Sequence, residues 1–285
     1  MDQSFRNIFV PIDFSANSRT AVSKALEIIT SPGTIHLFHV HGIFYSRFTE
    51  IFHHVFSGYS YREVNIEKKR AKDLMESIKN EIEASRPDIN VMLSVAFGEP
   101  IERAIANNAR LAKADLIVIG KHTHHPILPL LNTVVPSRLT SNSGISVLTA
   151  KPGSVNGAVS QVVIPVGCQF PEKKLEVLET LHSKYKLHVR LVIFQSDINR
   201  LSFPLQYLIN KLRLFRNNKV ISVDHEILKG SDKAKVLIRY CEKVGADMLI
   251  VQPGAETRIK RWPGSYISDL IPASSKTQVL SIRAL

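Results

Sequence analysis

The sequence predicts an α/β protein built as two tandem doubly wound domains, each a five-stranded parallel sheet with helices on both faces. Two observations carry that prediction. Short apolar runs without alternation recur between amphipathic segments, the pattern of strands buried on both faces and joined by crossover helices. The chain also contains this pattern twice, because Asp115-Leu-Ile-Val-Ile-Gly120 returns 132 positions later as Asp247-Met-Leu-Ile-Val-Gln252. Gly98 and Gly230 stand 17 residues before those aspartates, and Val147-Leu148 and Val279-Leu280 close the two copies at the same offset. A repeat this long is a whole domain, since solenoid periods run roughly 20 to 50 residues. The expected domains are 1–152 and 158–285, joined by a polar, glycine-containing connector.

In the first domain, Asn7–Ile12 is a buried strand that ends in Asp13-Phe14-Ser15. Ser15 or Asn17 caps a helix through Val22, Leu26 and Ile29, which Pro32-Gly33 stops. Thr34–Val40 is the second strand. The segment from His41 to Gly58 carries Phe44, Tyr45, Phe48, Phe52 and Phe56 at mixed spacings and fits neither period. Glu63–Ser85 suits a long amphipathic helix, Val91–Phe97 a third strand, and Gly98-Glu99-Pro100 turns into a helix through Ile101, Ile105 and Leu111. The Asp115 strand precedes a loop rich in histidine and proline, a helix expected over 133–140, and a fifth strand at Ile145–Ala150.

The second domain repeats the order. Gln161–Val166 matches the first strand including its proline, since Pro11 and Pro165 both stand one residue before the last apolar position. Helices are expected over 172–181, 205–215, 231–243 and 265–271, and strands over 188–194, 219–227, 246–251 and 278–282. Pro11 to Gly98 spans 87 residues and Pro165 to Gly230 spans 65, so the aromatic segment is special to the first half.

Composition fits two such domains. The 285 residues are 44% hydrophobic and 22% charged, enough for two cores. No apolar run approaches the roughly 18 residues of a membrane span, and Met1–Arg6 lacks the apolar core of a signal peptide, so a cytoplasmic protein without membrane contact is expected. Cys168 and Cys241 have no CxxC spacing and read as reduced thiols. The net charge of +12 is uneven: residues 1–153 carry 17 basic and 14 acidic side chains, and 154–285 carry 20 and 11. The basic residues spread over helical faces without a zinc finger, basic zipper or RNP-type motif, so nucleic acid is not the expected partner.

Ligands of open parallel sheets bind outside the carboxyl ends of the strands, where strand order reverses. Asp13, Val40 and the loop after Gly120 lie there, as do Gly167, Gln195 and the loop after Gln252. Val10-Pro11-Ile12-Asp13-Phe14-Ser15, His39-Val40, Gly98-Glu99-Pro100, Ala114-Asp115-Leu-Ile-Val-Ile-Gly120 and Ser146-Val147-Leu148, all in order, resemble the universal stress protein family. Both repeats match, so the resemblance is to a tandem member. It implies a Rossmann-like sheet of order 3-2-1-4-5, and pairing of the two domains within one chain through their fifth strands.

In nucleotide-binding members of that family, an Asp after strand one and the backbone at the end of strand two hold the nucleoside. A loop of pattern G-x2-G-x9-G-[ST] then wraps the phosphates, because glycines let N–H groups approach an anion and the last pair opens a helix. By this resemblance the cofactor-binding candidates are Pro11, Asp13, Val40 and Gly120 in the first half, and Gly254, Gly264 and Ser265 in the second. Both halves depart from the pattern. Thr123 and Thr133-Val134 replace the later glycines of the first loop, Gln252 replaces the opening glycine of the second, and Gly167 stands where Asp13 has its counterpart. The plain readings are a turn or helix-cap carboxylate for Asp13, and a glycine-tolerant loop with a cap for the other set.

Eight of the eleven histidines lie in the first half, and His39, His41, His122 and His124 fall near one sheet edge. Without HExxH or Cys/His spacing they read as exposed or hydrogen-bonded loop residues, and no metal is expected. The functional expectation is a stress-associated binding or regulatory protein with weak or absent binding of ATP or AMP. The alternatives are a weakly hydrolysing ATP binder and a binder of another small anionic or apolar ligand. Catalysis is disfavoured, because no general base is nominated and neither loop has the Lys-[ST] grip of a P-loop.

Overall fold

The computed structural model describes residues 4–41, 61–97, 99–120, 134–154, 158–214 and 221–254, together with Glu256, Ile267, Ile271 and residues 274–283. The first half runs β1 Asn7–Ile12, α1 Ala16–Ile28, β2 Gly33–His41, α2 Tyr61–Ser85, β3 Ile89–Phe97, α3 Ile101–Leu111, β4 Leu116–Gly120, α4 Pro136–Ser143 and β5 Ser146–Ala150. The second runs β6 Gln161–Val166, α5 Glu172–Lys184, β7 His188–Phe194, α6 Leu205–Arg213, β8 Ser222–Leu228, α7 Lys233–Val244, β9 Met248–Val251 and β10 Gln278–Ser281. The ten strands form one sheet in the order β3-β2-β1-β4-β5-β10-β9-β6-β7-β8. Each half is parallel in the predicted order 3-2-1-4-5. The halves meet where β10 runs antiparallel to β5, Val279 facing Thr149 and Ser281 facing Val147.

Burial on both faces explains the unbroken apolar strands: Ile8, Phe9 and Val10 are all closed to solvent. One face, under α1, α2, α5 and α6, is a single core that runs across both halves from Val10 and Ile28 through Leu148 and Leu280 to Ile164 and Leu181. The other face carries two separate cores, one around Phe9, Phe38, Ile105 and Leu139 and one around Phe194, Leu237, Ile250's neighbour Val251 and Ile267. Among the described residues, no helix is long and apolar enough to cross a membrane.

The repeated aspartates are clamps at the amino ends of the strands. Asp115 Oδ2 accepts the backbone N–H groups of Arg6 and Asn7 at 3.0 and 2.8 Å. Asp247 Oδ2 does the same for Ser160 and Gln161 at 3.0 and 2.8 Å. Each thereby ties the start of its half's first strand to the start of the fourth.

The repeated prolines act at the opposite end. β1 pairs with β2 along its whole length, yet its register with β4 covers only Ile8 and Phe9, and β6 pairs with β9 only at Val162 and Val163. Proline has no N–H to donate, so Pro11 and Pro165 stand where these ladders have ended and the strands part. That is the crevice at which strand order reverses.

Several boundaries differ from the sequence reading, each for a local reason. The helix expected over 133–140 starts at Pro136, which suits the first helical position, and runs to Ser143 before Gly144 turns left-handed at φ 70. Ser15 rather than Asn17 caps α1, accepting Ser18 N–H, and Asp232 caps α7 by accepting Lys235 N–H. α5 continues to Lys184, three residues past the expected end, because its last turn packs on the other half. There Lys184 Nζ donates to the carbonyls of Ile28 and Ile29 at the end of α1, and Tyr185 Oη donates to Glu27 Oε1 at 2.9 Å. A cation at a helix carboxyl end also meets the negative pole of the helix. The described start of the connector, 151–154, is packed as well, since buried Lys151 donates to the Ile271 carbonyl and a Cβ on Gly153 would lie 2.2 Å from Ser274 O.

Candidate ligand site at the carboxyl edges of the sheet

In the first half the turn after β1 is internally organised. Asp13 is exposed, and its Oδ1 accepts Ser15 N–H at 3.0 Å and Ser15 Oγ–H at 2.6 Å. Phe14 between them adopts φ 63, a left-handed conformation that few side chains tolerate. Its ring rests 4.8 Å from that of His39, whose Nδ1 is 2.9 Å from the Ile12 carbonyl oxygen. A carbonyl can only accept, so Nδ1 carries the proton. Pro11 and Val40 are half-buried beside this turn, Val40 packing on the Phe9–Phe38 core. The crevice thus brings Pro11, Asp13 and Val40 together at one edge with Phe14 and His39.

Gly120 ends β4 against the first turn of α1. A Cβ there would stand 1.8 Å from Asn17 O and 2.9 Å from Ser18 N, so packing alone demands glycine. The head of α4, where the family pattern would place a phosphate, already faces a carboxylate. Glu102, on α3, is buried. It accepts Arg138 in a fork at 2.6 to 2.8 Å and Asn142 Nδ2 at 3.0 Å, and Val135 N–H lies 3.5 Å away. The aromatic segment 42–60, Gly98 and the loop 121–133 with His122, Thr123, His124 and Thr133 lie outside the described residues.

The second half carries two internal ion pairs at this edge. Lys174, 1% exposed in the first turn of α5, donates to Pro165 O at 2.6 Å and to both oxygens of Glu256 at 2.9 and 2.8 Å. Glu256 also accepts Gln252 N–H at 2.8 Å. Burial pushes the Lys174 ammonium toward deprotonation, and the Glu256 charge opposes it. On the far side of β6, Lys233 Nζ binds buried Asp197 at 2.5 Å and sits 5.2 Å above the Phe194 ring. Gly254 adopts φ 115, which explains that glycine by backbone geometry. Gly264 and Ser265 lie outside the described residues.

Sequence reasoning missed Glu102, Lys174, Asp197, Lys233 and Glu256. Lys174 left one signal, because it falls on the stripe of α5 that continues through Val177, Leu178 and Leu181 and should be apolar. The oppositely charged partners of the others are 36 to 82 residues distant and leave none.

A model of the universal stress protein family matches residues 4–151. Among solved structures the chain is similar to a universal stress protein from Archaeoglobus fulgidus DSM 4304, at TM-score 0.72 and 14% identity, covering 99% of this chain and 97% of that one. It is also similar to a putative universal stress protein from Pseudomonas aeruginosa UCBPP-PA14, at TM-score 0.52 and 15% identity over 99% and 94% of the two chains. The cytoplasmic domain of a prokaryotic cation chloride cotransporter shares the fold at TM-score 0.52 and 10% identity, over 96% and 94%. No curated protein matches the sequence. At these identities the solved structures speak for the fold alone.

Proposed function

Because this chain belongs to the universal stress protein family, we propose that it is a stress-associated binding or regulatory protein whose adenine-nucleotide sites are degenerate and bind ATP weakly or not at all. One observation carries the reading: Gln252 N–H, at the position of the loop's opening glycine, is already bonded to Glu256, which also neutralises Lys174. A phosphate arriving there competes with an intramolecular carboxylate. In the first half Glu102 stands in the same relation to the head of α4. Each hydrogen bond to a charged group that a ligand fails to make costs about 1.5 to 3 kcal/mol, roughly tenfold or more in affinity.

In this reading Pro11, Asp13, Val40 and Gly120 form the edge of the first site, and Gly254, Gly264 and Ser265 mark the second. The domains 1–152 and 158–285 pair through β5 and β10 within one cytoplasmic chain, which removes the edge that would otherwise template association. The Phe14–His39 ring pair beside Asp13 favours a second reading for the first half, a nucleoside-like or apolar ligand without phosphates.

Calorimetry with Mg-ATP tests the proposal. The expected result is no saturable heat at micromolar nucleotide. Submicromolar affinity abolished by Asp13→Ala overturns it.

A further inference from the structure

At the amino ends of the strands, opposite the crevice, the first half holds a cleft of about 630 Å3. Four segments line it: the start of β1, the turn from α1 into β2, the end of α2 and the turn from α2 into β3. Arg6 gives its backbone N–H to Asp115, but its guanidinium has no hydrogen bond or ion pair among the described residues. Glu83 Oε1 has the Val91 N–H at 3.4 Å and Lys79 Nζ at 3.9 Å, and Oε2 has no partner among the described residues. Asp88 is already engaged, because Arg86 holds its two oxygens at 2.9 and 2.8 Å. Arg6 and Glu83 therefore line one cleft without pairing to each other.

The cleft also contains a row of neutral polar side chains. Asn7 stands level with Thr34, and Thr34 with Asn90, so the three share one face across β1, β2 and β3. None of these side chains has a partner among the described residues. The second half spends the same positions on internal bonds: Gln161, in the place of Asn7, accepts Arg190 Nε at 3.4 Å, and Ser160, in the place of Arg6, donates its hydroxyl to Asp247 at 2.9 Å. We propose that the cleft binds a short peptide with free termini, its carboxylate on Arg6, its ammonium on Glu83 and its amide groups along Asn7, Thr34 and Asn90. Amide and hydroxyl side chains both donate and accept, which is what a peptide group asks of its surroundings. The planar guanidinium matches a carboxylate, and a glutamate oxygen accepts from an ammonium. The volume falls within the roughly 300 to 1,000 Å3 of ordinary ligand sites, and at about 3.3 to 3.6 Å per extended residue it accommodates about two or three residues. This site lies at the other end of the strands from the crevice, so it is independent of the reading given for ATP.

Calorimetry of the full chain with trialanine tests the proposal, with the amino-acetylated and the carboxy-amidated peptides as controls. Free trialanine should bind saturably, and each capped form about tenfold or more weaker, because one charged hydrogen bond is lost. Arg6→Gln should weaken free trialanine by the same factor and leave the amidated peptide unchanged, since the amidated form has no carboxylate for Arg6 to hold. Glu83→Gln should weaken free trialanine and leave the acetylated peptide unchanged. The Arg6 guanidinium holds nothing in the described fold, so Arg6→Gln should melt with the wild type, and its arm decides alone if Glu83→Gln does not fold. Absence of saturable heat with free trialanine at millimolar concentration overturns the site. Capped peptides that bind as tightly as the free one overturn it too, as does an Arg6→Gln variant that weakens free and amidated peptides equally.

Discussion

Gly120 lies against the backbone of Asn17 so closely that a Cβ would stand 1.8 Å from the Asn17 carbonyl oxygen. The glycine that opens the nucleotide-loop pattern is therefore required by the seating of α1 on β4. Gly120→Ala should destabilise the protein by about 1 to 3 kcal/mol, the usual cost of overpacking a close contact. Urea denaturation measures it. Unchanged stability with altered ligand affinity would show that the glycine serves the loop instead.

The Asp247 clamp makes acid stability a local property. Burial opposes ionisation of its carboxyl, but bonds from Gln161 and Ser160 N–H, Ser160 Oγ and Lys276 outweigh burial and hold it below the usual 3.8. Stability from this group is complete above the unfolded-state value and is lost as pH falls through the lower native one. Asp247→Ala should cost about 1.5 to 3 kcal/mol at neutral pH and make the acid side of the stability profile shallower. A profile parallel to that of the wild type down to pH 3 would refute the clamp's role.

Tyr185 and Glu27 join the halves, and their bond is sensitive to alkali. Burial first, then the Glu27 charge and hydrogen bond, push the Tyr185 hydroxyl far above its ordinary 10. The unfolded chain ionises this tyrosine first, so its contribution is complete below about pH 10 and declines above. Tyr185→Phe should cost about 1.5 to 3 kcal/mol at neutral pH and flatten the alkaline decline. Equilibrium unfolding at pH 8 and pH 11 separates the two effects, and an unchanged alkaline slope would count against the bond.

Much of the fold was legible because its determinants are local or repeated. Strands such as Asn7–Ile12 and Gln161–Val166 announce themselves by unbroken apolar runs, and the start of α1 by Ser15, whose cap acts within three residues. The offset shared by Asp115 and Asp247 exposed the duplication. Even there the sequence showed that the two aspartates matter, and only the folded chain showed that they bind the backbone of Asn7 and Gln161.

The candidate site divided along the same line. Asp13, Pro11 and Val40 could be placed at the carboxyl edge from strand order, because a parallel sheet of this topology puts every such strand end there. What fills the edge could not. Lys174 and Glu256 are 82 residues apart, and Glu102 and Arg138 are 36 apart, so nothing in either neighbourhood marks them as pairs. The sequence by itself determined the period, the strand and helix types and which residues stand at the carboxyl edge, all from short-range pattern and duplication. Only the tertiary structure decided that internal carboxylates face the head of α4 and the loop after β9, because a charge pair is chosen by distance in space, which the spacing of residues along the chain does not encode.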